Sequence, residues 1–100
     1  MKILKQKAEP NLISIDQNYP NTFSDNTYFS FKLKTASEIT LQVLDVYGNE
    51  ITTLVKNKQL LSGKYIEQFD ARNFNVSPGI YYFSLTTKSK RVVKKMTLVY

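Results

Sequence analysis

Hydrophobic and polar positions alternate with a period of two along much of this chain. Thr27 to Lys34 shows the pattern most cleanly. Phe29, Phe31 and Leu33 fall on one face; Tyr28, Ser30, Lys32 and Lys34 fall on the other. That period predicts a strand with one buried and one wet face. Ile39 to Val46 starts with the same alternation and ends apolar on both faces, as a central strand does. Glu50 to Lys56, rich in Ile, Thr and Val, predicts a returning strand, and Lys64 to Asp70 another. Ser77 to Tyr100 sets two apolar runs about the polar turn Lys88-Ser89-Lys90 and predicts a β-hairpin. Leu12 to Ile15 is short enough for a first edge strand.

The punctuation between these runs is equally regular. Asp16 to Asn26 is dense in Asn, Asp, Ser and Pro, which favour turns over ladders. Tyr19 and Phe23 are expected to tuck beneath this loop. Tyr47-Gly48-Asn49 predicts a tight turn, with Gly48 free to take positive φ. Asn57 to Gly63 reads as a longer loop whose Leu60 and Leu61 fold back over a core edge. Asp70 to Phe74 reads as a single capped turn with Asp70 as the cap, and Phe74 closes the bottom of the core. Glu67 shares a face with Tyr65 and Phe69. It must therefore sit at the rim, pair with a lysine, or be turned out by a bulge. About seven short strands and no convincing helix predict an all-β, antiparallel β-sandwich.

Composition narrows the chemistry. The chain has 100 residues, enough for one domain that buries roughly 60–70% of its unfolded surface. No apolar run approaches the roughly 18 residues that span a bilayer as a helix. Met1 to Lys7 has the charges of a signal peptide's start without the apolar stretch that should follow. This predicts either a cytoplasmic chain or a segment cut from a longer secreted precursor. Cysteine and histidine are both absent, which excludes disulfides, thiol nucleophiles, Ser-His-Asp triads and the usual zinc sites.

Carboxylates are the remaining acid/base groups. Asp45 and Glu50 flank one turn, and Glu67 and Asp70 end one strand. Turn-forming and rim roles explain all four, so no active site is expected. Asp16, Asp25 and Asn26 lack the dense alternating oxygens of a calcium loop, and no glycine-rich phosphate cradle exists. No cofactor is expected.

The net charge of +6 is uneven. Residues 88–100 carry Lys88, Lys90, Arg91, Lys94 and Lys95 with no acid, and residues 1–9 carry Lys2, Lys5 and Lys7 against Glu9. The span between is close to neutral. Such ends suit an anionic partner or simply solubility. Nucleic acid is not the expected partner, because Tyr81 and Phe83 alternate into a strand and belong to its core face.

Tyr81, in its Gly-x-Tyr-x-Phe setting with Gly79 and Phe83, resembles the tyrosine corner of immunoglobulin-like sandwiches. Phe83 stands where an antibody domain carries its second cysteine. Further motifs occur in a fixed order: Asn18-Tyr19-Pro20-Asn21, Asp45-Val46-Tyr47-Gly48, Gly63, Phe69-Asp70, Ser77-Pro78-Gly79-Ile80-Tyr81 and Lys94-Lys95-Met96. Together they resemble the type IX secretion C-terminal sorting domain, type A, over about residues 13–100.

The resemblance implies an immunoglobulin-like sandwich, related to that of hook-capping proteins, at the end of exported proteins of Bacteroidetes-type bacteria. It implies a non-enzymatic signal read by the outer-membrane translocon and its shuttle components. A sortase-like protease then removes the domain from its N-terminal cargo. The route runs through the periplasm to the cell surface or the exterior. On this resemblance, the recognition signal comprises Gly79, Tyr81, Arg91, Lys94, Lys95 and Met96. Asn18, Pro20, Asp45, Gly48, Gly63 and Asp70 shape the fold. Residues 1–12 form a flexible arm holding the removal site, between Lys5 and Leu12, and residues 13–100 form the domain.

Three departures stand out: Thr22 replaces a usual proline, Glu67 a usual apolar residue, and no cargo precedes the domain, which suggests an excised segment or truncated precursor. The alternative reading is a structural module that self-associates through edge strands. A third is carbohydrate binding through Tyr19, Tyr28 or Tyr47.

Overall fold

The computed structural model describes residues 13–99. The flexible arm assigned to residues 1–12, with its removal site, lies outside them. Seven strands form two antiparallel sheets, a β-sandwich as the alternation predicts. β1 (Ile13–Ile15), β2 (Asn26–Leu33) and β5 (Gly63–Asp70) make one sheet in the order β1-β2-β5. β3 (Ser37–Leu44), β4 (Glu50–Leu60), β6 (Gly79–Thr86) and β7 (Arg91–Leu98) make the other, in the order β4-β3-β6-β7. In a constant-type immunoglobulin domain the fourth strand joins the sheet of the first, second and fifth. Here the tight turn after Leu44 returns β4 beside β3 instead.

The alternating positions meet at the centre. Phe29 on β2 and Phe83 on β6 are fully buried and stack across the sandwich, centroids 4.4 Å apart. Leu41, Val43 and Leu85 fill the layer beside them with no exposed surface. Phe69 and Phe23 meet edge-on at 6.2 Å, and Phe74 stacks on Phe69 at 5.4 Å, closing that end of the core.

The turns follow their sequence chemistry. Asp45 Oδ1 accepts from the amides of Tyr47 and Asn49, both at 2.9 Å, and Gly48 takes φ +85°. Ala71–Asn73 is a single 3-10 turn capped by Asp70, which accepts from the Arg72 amide at 3.0 Å.

Three expectations need correction. β4 does not stop at Lys56 but runs eleven residues to Leu60, so the expected 57–63 loop shrinks to Leu61-Ser62. Its far half is an exposed edge, so burial imposes no alternation there. Asn57 absorbs the register shift with φ +48°, and its amide donates to Thr40 Oγ1 at 3.0 Å. Leu60 packs against the core, whereas Leu61 is 74% exposed. Tyr19 is no buried anchor: it is 80% exposed while Phe23 is buried, because the chain crosses from one sheet toward the other between them. Glu67 does face inward, opposite Phe29, in an unbroken β2–β5 register. It is half-buried on an edge strand, and this rim position keeps its carboxylate within reach of water.

Phe83→Ala should cost about 3–5 kcal/mol, because it removes one side of the central stack and leaves a cavity. Urea unfolding followed by circular dichroism would show this as a large fall in midpoint.

Candidate functional site: the terminal hairpin and its strap

The hairpin of β6 and β7 is paired residue for residue from Gly79↔Leu98 to Thr86↔Arg91. Gly79 opens it with φ +148°, a conformation that a side chain disfavours. Tyr81, opposite Met96, is buried to 9% and donates its hydroxyl to the Ser77 carbonyl at 2.5 Å. That bond ties the start of β6 to the loop before it, as a tyrosine corner does. Met96 and Leu98 are buried on the core face, while Arg91 and Lys95 are exposed on the opposite one. Lys94 shares the parity of Met96 and sits half-buried at the rim.

The outer edge of β7 is not open along its whole length. The segment after β1 leaves the first sheet and laces onto the last strand. Tyr19 still exchanges two backbone hydrogen bonds with Tyr28 of β2, at 2.9 and 3.0 Å. Phe23 then bridges in parallel to Leu98: its amide donates to the Thr97 carbonyl at 3.0 Å, and its carbonyl accepts from Val99 at 2.8 Å. Asn21 Oδ1 accepts from the Thr97 amide at 3.0 Å, and Gln17 Nε2 donates to the Lys95 carbonyl at 2.7 Å. Residues 17–23 thus form a strap over the end of β7. Strand addition there is blocked, and the expected open template is confined to the stretch nearer Arg91.

A buried polar knot fixes the strap's shape. Asn18 is 2% exposed; its Nδ2 donates to Thr27 Oγ1 at 3.0 Å and to the Pro20 carbonyl at 3.1 Å. Thr27 Oγ1 in turn donates to the Pro20 carbonyl at 2.8 Å. Gln17 Nε2 closes the network on Asn18 Oδ1 at 2.8 Å. Buried polar groups are tolerable only when satisfied in this way.

The signal residues proposed from sequence are therefore only partly assembled. Gly79, Tyr81, Lys95 and Met96 lie together at one end of the hairpin, and Arg91 lies at the other. Asp45 and Gly48 shape the β3–β4 turn, Gly63 starts β5, and Asp70 caps the 3-10 turn. Gln17 and Thr27 escaped the sequence reading, as did the contacts of Asn21 and of the expectedly buried Phe23 with β7. Thr27 carried a signal: it shares the parity of Phe29 and Phe31, so a polar atom was bound for the core face. The carboxylates do not converge. Asp25 and Asp70 both face Arg72, at 3.9 and 2.8 Å, and Asp16 accepts from Ser30 at 2.9 Å. Among the described residues no group of acids could hold a metal ion. The exposed Tyr19 and Tyr28 are neighbours across their bridge, but their rings make no stacked pair.

This is a small all-β domain with an end strand that is both core element and displayed surface. A model of the secretion system C-terminal sorting domain family matches residues 17–99, and the chain belongs to that family. It is a sorting signal of type IX secretion, a non-catalytic kind of domain. Its cargo passes through the periplasm to be secreted or held at the cell surface. The match begins at Gln17, the first strap residue to touch β7, and ends at Val99, held by Phe23. No curated protein matches the chain.

Asn18→Ala should cost about 1–3 kcal/mol, because it removes the buried amide that donates to both Thr27 Oγ1 and the Pro20 carbonyl and leaves that pair only each other. Hydrogen exchange at the Thr97 and Val99 amides should accelerate more than exchange in β3. Acid stability offers a second check. The hydrogen bond from the Arg72 side chain holds the Asp70 carboxyl below its ordinary 3.8; desolvation opposes it, and the Arg72 backbone bond and charge add to the lowering. A depressed folded value contributes stability above the unfolded pKa, and that stability is lost as pH falls through the folded one. Arg72→Gln should therefore flatten the acid limb of a pH series of urea midpoints by lowering the neutral-pH midpoint slightly while leaving the acid end unchanged.

Proposed function

We propose that the translocon and its shuttle components read the outer face of β7, with Lys95 and Arg91 as contact residues and Lys94 at the rim. Gly79, Tyr81 and Met96 present that face without being touched. The observation that carries this reading is the division of β7 itself. Met96 is wholly buried opposite Tyr81, and its neighbour Lys95 points to solvent from a backbone clamped through Gln17. A recognition surface gains from such preorganisation, because less side-chain and backbone freedom is lost on binding. Asn18, Pro20, Asp45, Gly48, Gly63 and Asp70 act through the fold. A sortase-like protease would cut between Lys5 and Leu12, ahead of the domain formed by residues 13–100, and release the cargo.

Edge-strand self-association has weaker support. The strap covers the end of β7, and β4 carries register shifts with Lys56 and Lys58 along its edge.

An exported reporter fused to this chain should reach the surface, and the same fusion lacking residues 91–100 should not. Lys95→Glu should reduce delivery at least roughly tenfold while the domain melts as before, in line with loss of one charged contact. Equal delivery of the full and shortened fusions would sink the reading.

A further inference from the structure

We propose that the end of the sandwich opposite the Asp70 cap docks on a bilayer bearing anionic headgroups, with Leu61 as its apolar tip. By sequence the middle of the chain is nearly neutral, with six basic against seven acidic residues between positions 10 and 87. The fold separates those charges. Antiparallel pairing brings the 34–36 turn, the end of β4, the start of β5 and the 87–90 turn to one end. A cleft of about 260 Å³ lined by Ala36, Gln59 and Lys88, among others, sets the 34–36 turn, the end of β4 and the 87–90 turn around one space. Asp25, Asp45, Glu50 and Asp70 all fall at the other end.

The basic end displays Lys34, Lys58, Lys64, Lys88 and Arg91, all exposed. None of these five forms an ion pair with a described residue; the ion pairs found belong to Arg72 at the far end. Glu38 is the carboxylate among the described residues at these turns, and Asp16 lies further along the first sheet, in a groove it shares with Lys32 and Lys64. Lys64 also stands directly opposite Lys32 on the solvated face of its sheet. Like charges so placed are destabilising, a cost that Asp16 in the same groove eases and a bound anion would ease further.

Charge alone would suit any polyanion. Leu61 favours a bilayer: it is 74% exposed in the two-residue turn between Lys58 and Lys64, with its carbonyl occupied by the Tyr65 hydroxyl at 2.6 Å. An apolar tip ringed by lysines can enter the headgroup layer while the lysines meet phosphates.

The inference does not rest on the sorting role, and its test needs no translocon. The full 100-residue chain is sedimented with phosphatidylglycerol/phosphatidylcholine vesicles and with phosphatidylcholine alone. Binding is expected only to the anionic vesicles and should weaken with salt. Lys58→Gln/Lys64→Gln/Lys88→Gln should weaken it roughly a hundredfold, at about 1 kcal/mol for each lysine near such a surface. Gln68→Glu/Asn73→Asp/Asn75→Asp changes the net charge equally but elsewhere, and should cost roughly threefold or less through long-range attraction alone. Leu61→Ser should cost roughly tenfold through lost apolar burial. All the altered positions are exposed, and circular dichroism melts confirm that each variant folds. Failure to bind anionic vesicles, equal loss in the two triple variants, an unchanged Leu61→Ser, or equal affinity for soluble heparin would each overturn the proposal.

Discussion

The two sheets pack face to face through apolar contact, and the stack of Phe29 on Phe83 is its centre. With no cysteine in the chain, no covalent link spans the sandwich. The two rings occupy the strands that an antibody domain joins by its disulfide. Their burial places β2 against β6, and β6 then sets the register of β3 on one side and β7 on the other. Because this contact acts only in the folded chain, it does not constrain the unfolded state as a cross-link would. Stability therefore depends on completing the whole layer, from Leu41 and Leu85 at the middle to Phe23, Phe69 and Phe74 at the end.

The strap answers a different problem. A sandwich of this order leaves four edges, and two of them, β1 and β7, border the same side. Residues 17–23 belong to both sheets in turn, first beside β2 and then beside β7. The buried Asn18–Thr27 knot makes that crossing rigid enough to position Lys95 through its carbonyl. Packing and display are thereby separated within one strand: alternate residues serve the core and the surface, and the strap holds the backbone between them.

Much of this was legible in the residues. Phe29, Phe31 and Leu33 give β2 by parity, and Asp45 with Gly48, like Asp70, declares its turn. The family also followed from ordered motifs. What escaped depended on contacts distant in sequence. Gln17 and Lys95 are 78 positions apart, and Asn21 and Thr97 are 76 apart. No local pattern encodes such pairings. The outer half of β4 was missed because Lys-Asn-Lys-Gln on a wet edge has the composition of a loop. Tyr19 misled because an aromatic among turn residues invites burial, whereas the crossing turns it out. The charge separation was invisible for a related reason: Lys34, Lys58, Lys64 and Lys88 are scattered along the chain and meet only through antiparallel pairing.

The lacing of Phe23 to Thr97 and Val99 bears on when the domain can form. The ladder of β7 and the strap that crosses it both need residues 95–99. During synthesis, regions nearer the N-terminus emerge and fold first. Any domain preceding this one is thus complete before the sandwich can close, so closure reports that the chain has been made through Val99. A signal built this way is silent until Val99 has been made.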